Sequence, residues 1–197
     1  MQYKTIDEQN AQLISIIKQN KDLIIILDYL EKIKLPNFYI AAGAIFQTIW
    51  NYYDDRPLNY GIKDIDIVFY DSSNLSREYE DNIENNIIKY LKKKKLNYEI
   101  DIHNEARMHL WKKDNEIQNI DSYKNSEDSI NQWIATVQAV GITKIEDEIK
   151  IYAPYGLSDV FNKTIRPIKH KNNSKELYNK KLTSWCQRFE NLTIIDW

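Results

Sequence analysis

The chain has 197 residues, a formal charge of −2 and a pI near 6.0, with 43% hydrophobic and 12% aromatic residues. That length and composition fit one domain with a real core, and the near-neutral charge argues against a globally basic nucleic-acid surface. No apolar run approaches a membrane span, and Met1–Glu8 lacks the apolar centre of a signal peptide. The single cysteine, Cys186, excludes an internal disulfide and a cysteine zinc site, so a cytoplasmic location is expected.

Thr5-Ile6-Asp7-Glu8 reads as a capping box that opens an amphipathic helix on Leu13, Ile16 and Ile17. Asn20 is placed to cap a second helix from Lys21 to about Lys34, stopped by Pro36. Neither helix is assigned chemistry. Phe38–Ala42 then predicts a short strand, and Gly43-Ala44 followed by Ile45–Trp50 predicts a tight turn into a helix. Backbone N–H groups at such a helix start can hold a phosphate, which makes Gly43 and Ala44 candidate phosphate-binding residues. A tight-turn glycine also needs no ligand, and that reading stands beside the first.

Lys63–Asp71 is the most informative stretch. Its apolar residues predict a strand, and period-2 geometry puts Asp64 and Asp66 on one face with Ile65 and Ile67 on the other. Two neighbouring carboxylates repel each other, and a buried core tolerates neither unpaired. A divalent cation that prefers oxygen ligands, Mg²⁺ or Mn²⁺, resolves the repulsion. The alternative is a solvent-exposed start of a strand.

Ser76–Lys95 predicts a long helix with Ile83, Ile87, Ile88 and Leu91 on one face. Its closing run Lys92–Lys95 complements the helix dipole and only secondarily offers a path to RNA. Asn97–Ile102 predicts the next strand, on which Glu99, Asp101 and His103 share a face. A strand–helix–strand connection favours a parallel or mixed sheet, in which Asp101 joins Asp64 and Asp66 as a third carboxylate, with Glu99 its competitor.

Asn104 is placed to cap a short helix reaching Trp111. On it Arg107 is a candidate phosphate contact, or else the partner of a carboxylate such as Glu105. His103 and His109 lack metal-ligand spacing. Beyond a polar loop at 112–125, a helix is expected over Ser126–Trp133, and a hairpin joins Ala139–Thr143 to Glu148–Tyr152 around Glu146-Asp147. Ala153–Gly156 is a turn, Leu157–Phe161 a helical turn, Thr164–Pro167 extended, and Ser174–Arg188 the final helix. Trp111, Trp133 and Trp185 read as core or interface residues. The organisation expected is a single unit: a helical pair at 1–36, a catalytic core at 37–170, and a C-terminal helix and tail at 171–197.

In combination, Ala42-Gly43-Ala44-Ile45, Lys63-Asp64-Ile65-Asp66, Asn104–His109, Ala153–Asp159 and Arg166-Pro167 resemble a family of small bacterial nucleotidyltransferase-like proteins within the polymerase-β-like superfamily. The resemblance runs from about Phe38 to the C-terminus. It implies an α+β fold, a mixed sheet flanked by helices, with nucleotide phosphates near Gly43. Asp64, Asp66 and Asp101 would bind the metal and serve catalysis. The implied reaction moves a nucleotidyl group from a nucleoside triphosphate to a hydroxyl, with RNA or a small molecule as acceptor.

Three departures point the other way. Ala44 lacks the hydroxyl that a serine would bring, Phe46-Gln47 stands where relatives carry Arg-Asn, and Glu105 adds charge where Gln is expected. They favour the alternative of a catalytically silent nucleotide-binding or regulatory protein of the same fold. A partner-binding role has only the aromatic content behind it.

Overall fold

The computed structural model describes residues 5–110 and 122–197, so Trp111 and the first ten residues of the expected polar loop lie outside it. Helices α1 (Ile6–Ile17) and α2 (Lys21–Lys32) come first, then strand β1 (Tyr39–Ala41) and helix α3 (Gly43–Tyr53). Strand β2 (Asp64–Phe69), helix α4 (Arg77–Lys93) and strand β3 (Glu99–Asn104) form the crossover unit. After α5 (Ser126–Ile130) come the hairpin β4 (Gly141–Ile145) and β5 (Glu148–Tyr152), α6 (Ser158–Phe161), β6 (Thr164–Ile165), α7 (Lys175–Cys186) and β7 (Thr193–Ile194).

Local chemistry accounts for most of these boundaries. Thr5 and Glu8 form the reciprocal capping box of α1, and Asn20, Ser76, Asn125 and Ser174 each accept an N–H from the first turn of the helix they cap. Glu146 and Asp147 both have positive φ, 51° and 63°, the backbone of a type I′ hairpin turn.

The five-stranded sheet has the order β3-β2-β1-β4-β5, with β2 and β3 parallel and the other pairs antiparallel. The mixed sheet flanked by helices is therefore borne out. Ile65, Ile67 and Phe69 on β2 and Ile100 and Ile102 on β3 join the main core with Leu13, Leu27, Ile45 and Trp50 from the helices. Across the sheet, Tyr39, Ala41 and Val68 pack on Ile130, Ala139 and Ile168 in a smaller cluster. The strand alternation thus assigns Asp64 and Asp66 to the second face, in line with Val68 but beyond its apolar cover.

Several residues that carried the resemblance do structural work. Asn104 is wholly buried: its Oδ1 accepts the N–H groups of Asp71 and Ala106, and its amide donates to the carbonyls of Asp71 and Asn74. Asp159 accepts from the Thr136 hydroxyl at 2.7 Å and from Arg166 Nε at 3.0 Å, tying α6 to the strand β6 that follows it.

Candidate active site

Parallel pairing of β2 with β3 puts Asp66 directly opposite Asp101 and Asp64 opposite Glu99. Antiparallel pairing with β1 puts Asp66 opposite Ala41, one turn before Gly43. The two carboxylates and the turn therefore meet, although they are separated in the chain. The Gly43 N–H also acts on the Asp66 carboxyl, lowering it, so the turn's N–H lies on the side of an anion. A Cβ added at Gly43 would stand 2.7 Å from Gln47 Nε2, closer than atoms can pack, so only glycine leaves that side chain where it is.

Ala42 supplies the bend. Its φ of 52° with ψ of −123° is a region that L side chains rarely adopt, and such strain costs roughly 1–3 kcal/mol. Its carbonyl accepts the N–H groups of Ile45 and Phe46, so the strained peptide also starts α3. Ala44 is fully buried and packs in the core, so it presents no side chain to the cleft.

Asp66 is largely buried, and its carboxyl is pushed up to about 7. Burial is the main cause, followed by the charges of Asp64 and Asp101, while Lys181 and the Gly43 N–H pull weakly the other way. Among the described residues neither Asp64 nor Asp66 has an ion-pair partner. Asp101 Oδ1 accepts from His103 Nε2 at 2.8 Å, and that bond holds its carboxyl below the ordinary value. Burial alone would lower His103, but the bond and the charges of Asp101, Glu80 and Glu105 together raise it.

The donor chemistry suits a hard divalent cation: like-charged oxygens on adjacent strands, one of them driven toward protonation for want of a counter-charge. Among the described residues no three acidic, His or Cys side chains already stand at ion-binding spacing, since Asp101 is turned onto His103.

Two expectations change. Arg107 does not face the cleft: it is buried past the end of β3, where Nη1 meets Glu80 Oε1 at 2.9 Å and Nε donates to the Leu75 carbonyl. The guanidinium is consumed by a carboxylate that brings α4 against β3. Glu105 likewise does not line the cleft: it is buried, and burial pushes its carboxyl up to about 8.

A cleft of about 530 Å³ opens on Asp64 and Asp66, with Asp101 outside its lining. Gly43, Gln47, Lys63, Asp64 and Asp66 form one side, and Lys181, Ser184, Trp185, Gln187 and Arg188 the other. The second group comes from α7 and the turn after it, more than a hundred residues from Asp66. Sequence reading assigned this helix to packing. The only signal it carries is the spacing of Lys181 and Arg188, seven residues apart and so on one helix face. Phe46 also borders the cleft, but its ring is buried edge-on to Trp50 and Trp185.

Comparison with known proteins agrees with this geometry. The sequence profile of a family described as nucleotidyltransferase matches residues 28–194. No curated protein matches the chain. A solved structure whose title reports that it reveals a CCA-adding enzyme head domain, determined by NMR, is similar to it over 95% of this chain and 96% of that one, at 25% identity and a TM-score of 0.78. With the profile covering most of its length, the chain belongs to the nucleotidyltransferase family.

Proposed function

We propose that this cleft transfers a nucleotidyl group from a nucleoside triphosphate to a hydroxyl acceptor. The observation that carries the reading is the row of Asp64, Asp66 and Asp101 across β2 and β3 beside the Gly43 turn, the first two without an ion-pair partner among the described residues. A divalent cation, Mg²⁺ or Mn²⁺, held by these three side chains would supply, when bound, the positive charge that lets carboxylates and triphosphate share one cleft.

The chain's own groups position the reaction. Gly43 N–H and the α3 N-terminus face the phosphates, and the buried sheet fixes Asp66 against them. The acceptor oxygen bonds to the α-phosphorus, the bond from that phosphorus to the bridging oxygen breaks, and pyrophosphate leaves. The hydroxyl proton passes to Asp101, which His103 holds in orientation. Placement and electrostatics supply most of the rate, as in phosphoryl transfer generally.

A nucleic-acid end is the favoured acceptor. The similar structure is named for adding CCA, a run of nucleotides. Lys92–Lys95 are exposed where α4 turns into β3. Lys95 and Asp101 are six positions apart in the chain, so their Cα atoms lie at most about 21 Å apart. A strand whose last phosphates cross those lysines would reach the carboxylates.

The test is incubation with each of four α-labelled triphosphates, Mg²⁺ or Mn²⁺, and short RNAs with free 3′ hydroxyls. Label is expected on the RNA with pyrophosphate released, and neither with Asp66→Asn. Triphosphate binding without transfer to any RNA or small-molecule acceptor would replace this reading with that of a nucleotide-binding protein.

A further inference from the structure

We propose that α7 is the polyphosphate clamp of the cleft, with Lys181 and Arg188 binding the phosphates beyond the reacting one. The inference rests on the nucleotidyl-transfer reading and names the groups that would make the site select triphosphates over monophosphates.

The cleft has two walls of opposite sign. Residues 181, 184, 185 and 188 recur at helical spacing, and all four line it. Lys181 has no ion-pair partner among the described residues, and it lines the same cleft as Asp64 and Asp66. Among the described residues Arg188 is fixed by neutral acceptors only. Nη1 donates to Gln47 Oε1 and to the Gly61 carbonyl, each at 3.0 Å, and Nε donates to the Ser184 carbonyl at 3.3 Å. Its positive charge is oriented but not neutralised.

The helix carrying these cations is anchored rather than loosely laid on. Tyr178 is fully buried, with its hydroxyl 2.7 Å from the Ile195 carbonyl and 3.0 Å from that of Ile165, which share its one proton, and Trp185 and Phe189 are buried against Phe46 and Trp50. The Arg188 guanidinium, held by three hydrogen bonds in the turn after α7, loses little freedom on meeting an anion, while the packed helix carries the exposed Lys181 ammonium to the same cleft. A polyphosphate chain lying between the walls would meet both cations on one side and reach the Gly43 turn on the other. Gln138, which also borders the cleft, has a buried Oε1 without a partner, and a ribose hydroxyl would satisfy it. The cavity thus offers cations for phosphates and an acceptor for sugar.

A simpler role for Lys181 is to offset the carboxylates in the free protein. The two roles separate when the probe carries no nucleoside. The full chain would be titrated calorimetrically with inorganic tripolyphosphate, each nucleoside triphosphate and each monophosphate, with and without Mg²⁺. The wild-type protein should bind tripolyphosphate. Lys181→Ala and Arg188→Ala should each weaken it by about tenfold or more, the scale of a hydrogen bond to a charged group. Monophosphate affinity should be unchanged, and Lys181→Arg should restore most of the loss. Lys181 is exposed, so its variants decide the matter even if Arg188→Ala fails to fold.

Failure to bind tripolyphosphate, or equal binding by wild type and Lys181→Ala, overturns the clamp. If the latter protein still labels an acceptor with unchanged KM for triphosphate, the transfer reading survives that failure. Conversely, tripolyphosphate binding that depends on Lys181 in a protein that transfers nothing keeps the clamp and removes the transfer reading.

Discussion

The two ends of the parallel pair β2–β3 treat polar residues in opposite ways. At the C-terminal end, Glu80 Oε2 accepts the Asn104 N–H at 2.6 Å, Glu80 Oε1 pairs with Arg107, and the Asn104 side chain closes four further bonds. The Glu80–Arg107 pair is matched inside the protein, and Glu105, the one carboxyl there with a buried oxygen left unpaired among the described residues, is pushed toward its neutral form by burial. At the N-terminal end, Asp64, Asp66 and Asp101 face one another with only a backbone N–H, a histidine and a distant lysine in support. Burial of polar groups is affordable when they are mutually satisfied and costly when they are not. The first end therefore reads as architecture, and the second as a place where stability is given up for a ligand.

The difference can be broken at either end. The largest effect on folding is expected from Arg107→Ala, which strands the buried Glu80 carboxylate. A loss of about 3–5 kcal/mol in urea unfolding is expected, with the folded fraction still binding triphosphate. A change under about 1 kcal/mol would remove the architectural role, since that is all an exposed pair contributes.

Asp66→Asn should do the reverse. Nucleotidyl transfer is expected to fall by about 10²–10³-fold, the scale of losing one electrostatic contact to the reacting centre. Melting temperature should hold or rise, because a repelled charge is removed. Lower stability together with retained activity would make Asp66 a structural residue.

A pH series sharpens the same point. The Asp66 carboxyl titrates at about 7 in the folded protein against an ordinary 3.8, so between those values the unfolded chain has lost a proton that the folded chain keeps. Its contribution to stability therefore falls as pH rises through that window and levels off above about 7, by a few kcal/mol at most. Added Mg²⁺ should stabilise the protein more at pH 8 than at pH 5, and Asp66→Asn should flatten both trends. Equal stabilisation at both pH values would separate the cation from this carboxyl.

The smallest effect is expected at the turn. Ala42→Gly removes the penalty of a positive φ while adding backbone entropy to the unfolded chain, for a net gain of about 1 kcal/mol or less in the same unfolding assay. A net loss would mean that the Ala42 methyl, buried at 2% exposure, contributes more by packing than the bend costs.

Local rules made much of this legible. Caps at Thr5 and Asn20 fixed two helix starts, because a side-chain acceptor and an N–H three positions on are a short-range matter, whereas Ser76 and Ser174, expected as first helical residues, instead cap helices that begin one residue later. Helix ends were less well marked. The second helix was expected to reach about Lys34 and stops at Lys32, since Lys34 takes a positive φ ahead of Pro36. The two-residue pairing of Thr193–Ile194 with Thr164–Ile165 went unforeseen, because so short a strand has no period to detect.

The sequence by itself determined that Asp64 and Asp66 share a strand face, that Gly43 opens a helix, and that a crossover helix would bring a third acidic strand alongside. Those follow from strand alternation and from the geometry of parallel connections. Only the tertiary structure decided that Asp101 rather than Glu99 stands across from Asp66, since register depends on how whole strands pack. It also decided that Arg107 is spent on Glu80, and that Lys181 and Arg188 close the cleft. Long-range charge pairing leaves no local pattern: a lysine on a solvated helix face and one aimed at a carboxylate are spelled alike until the chain has folded.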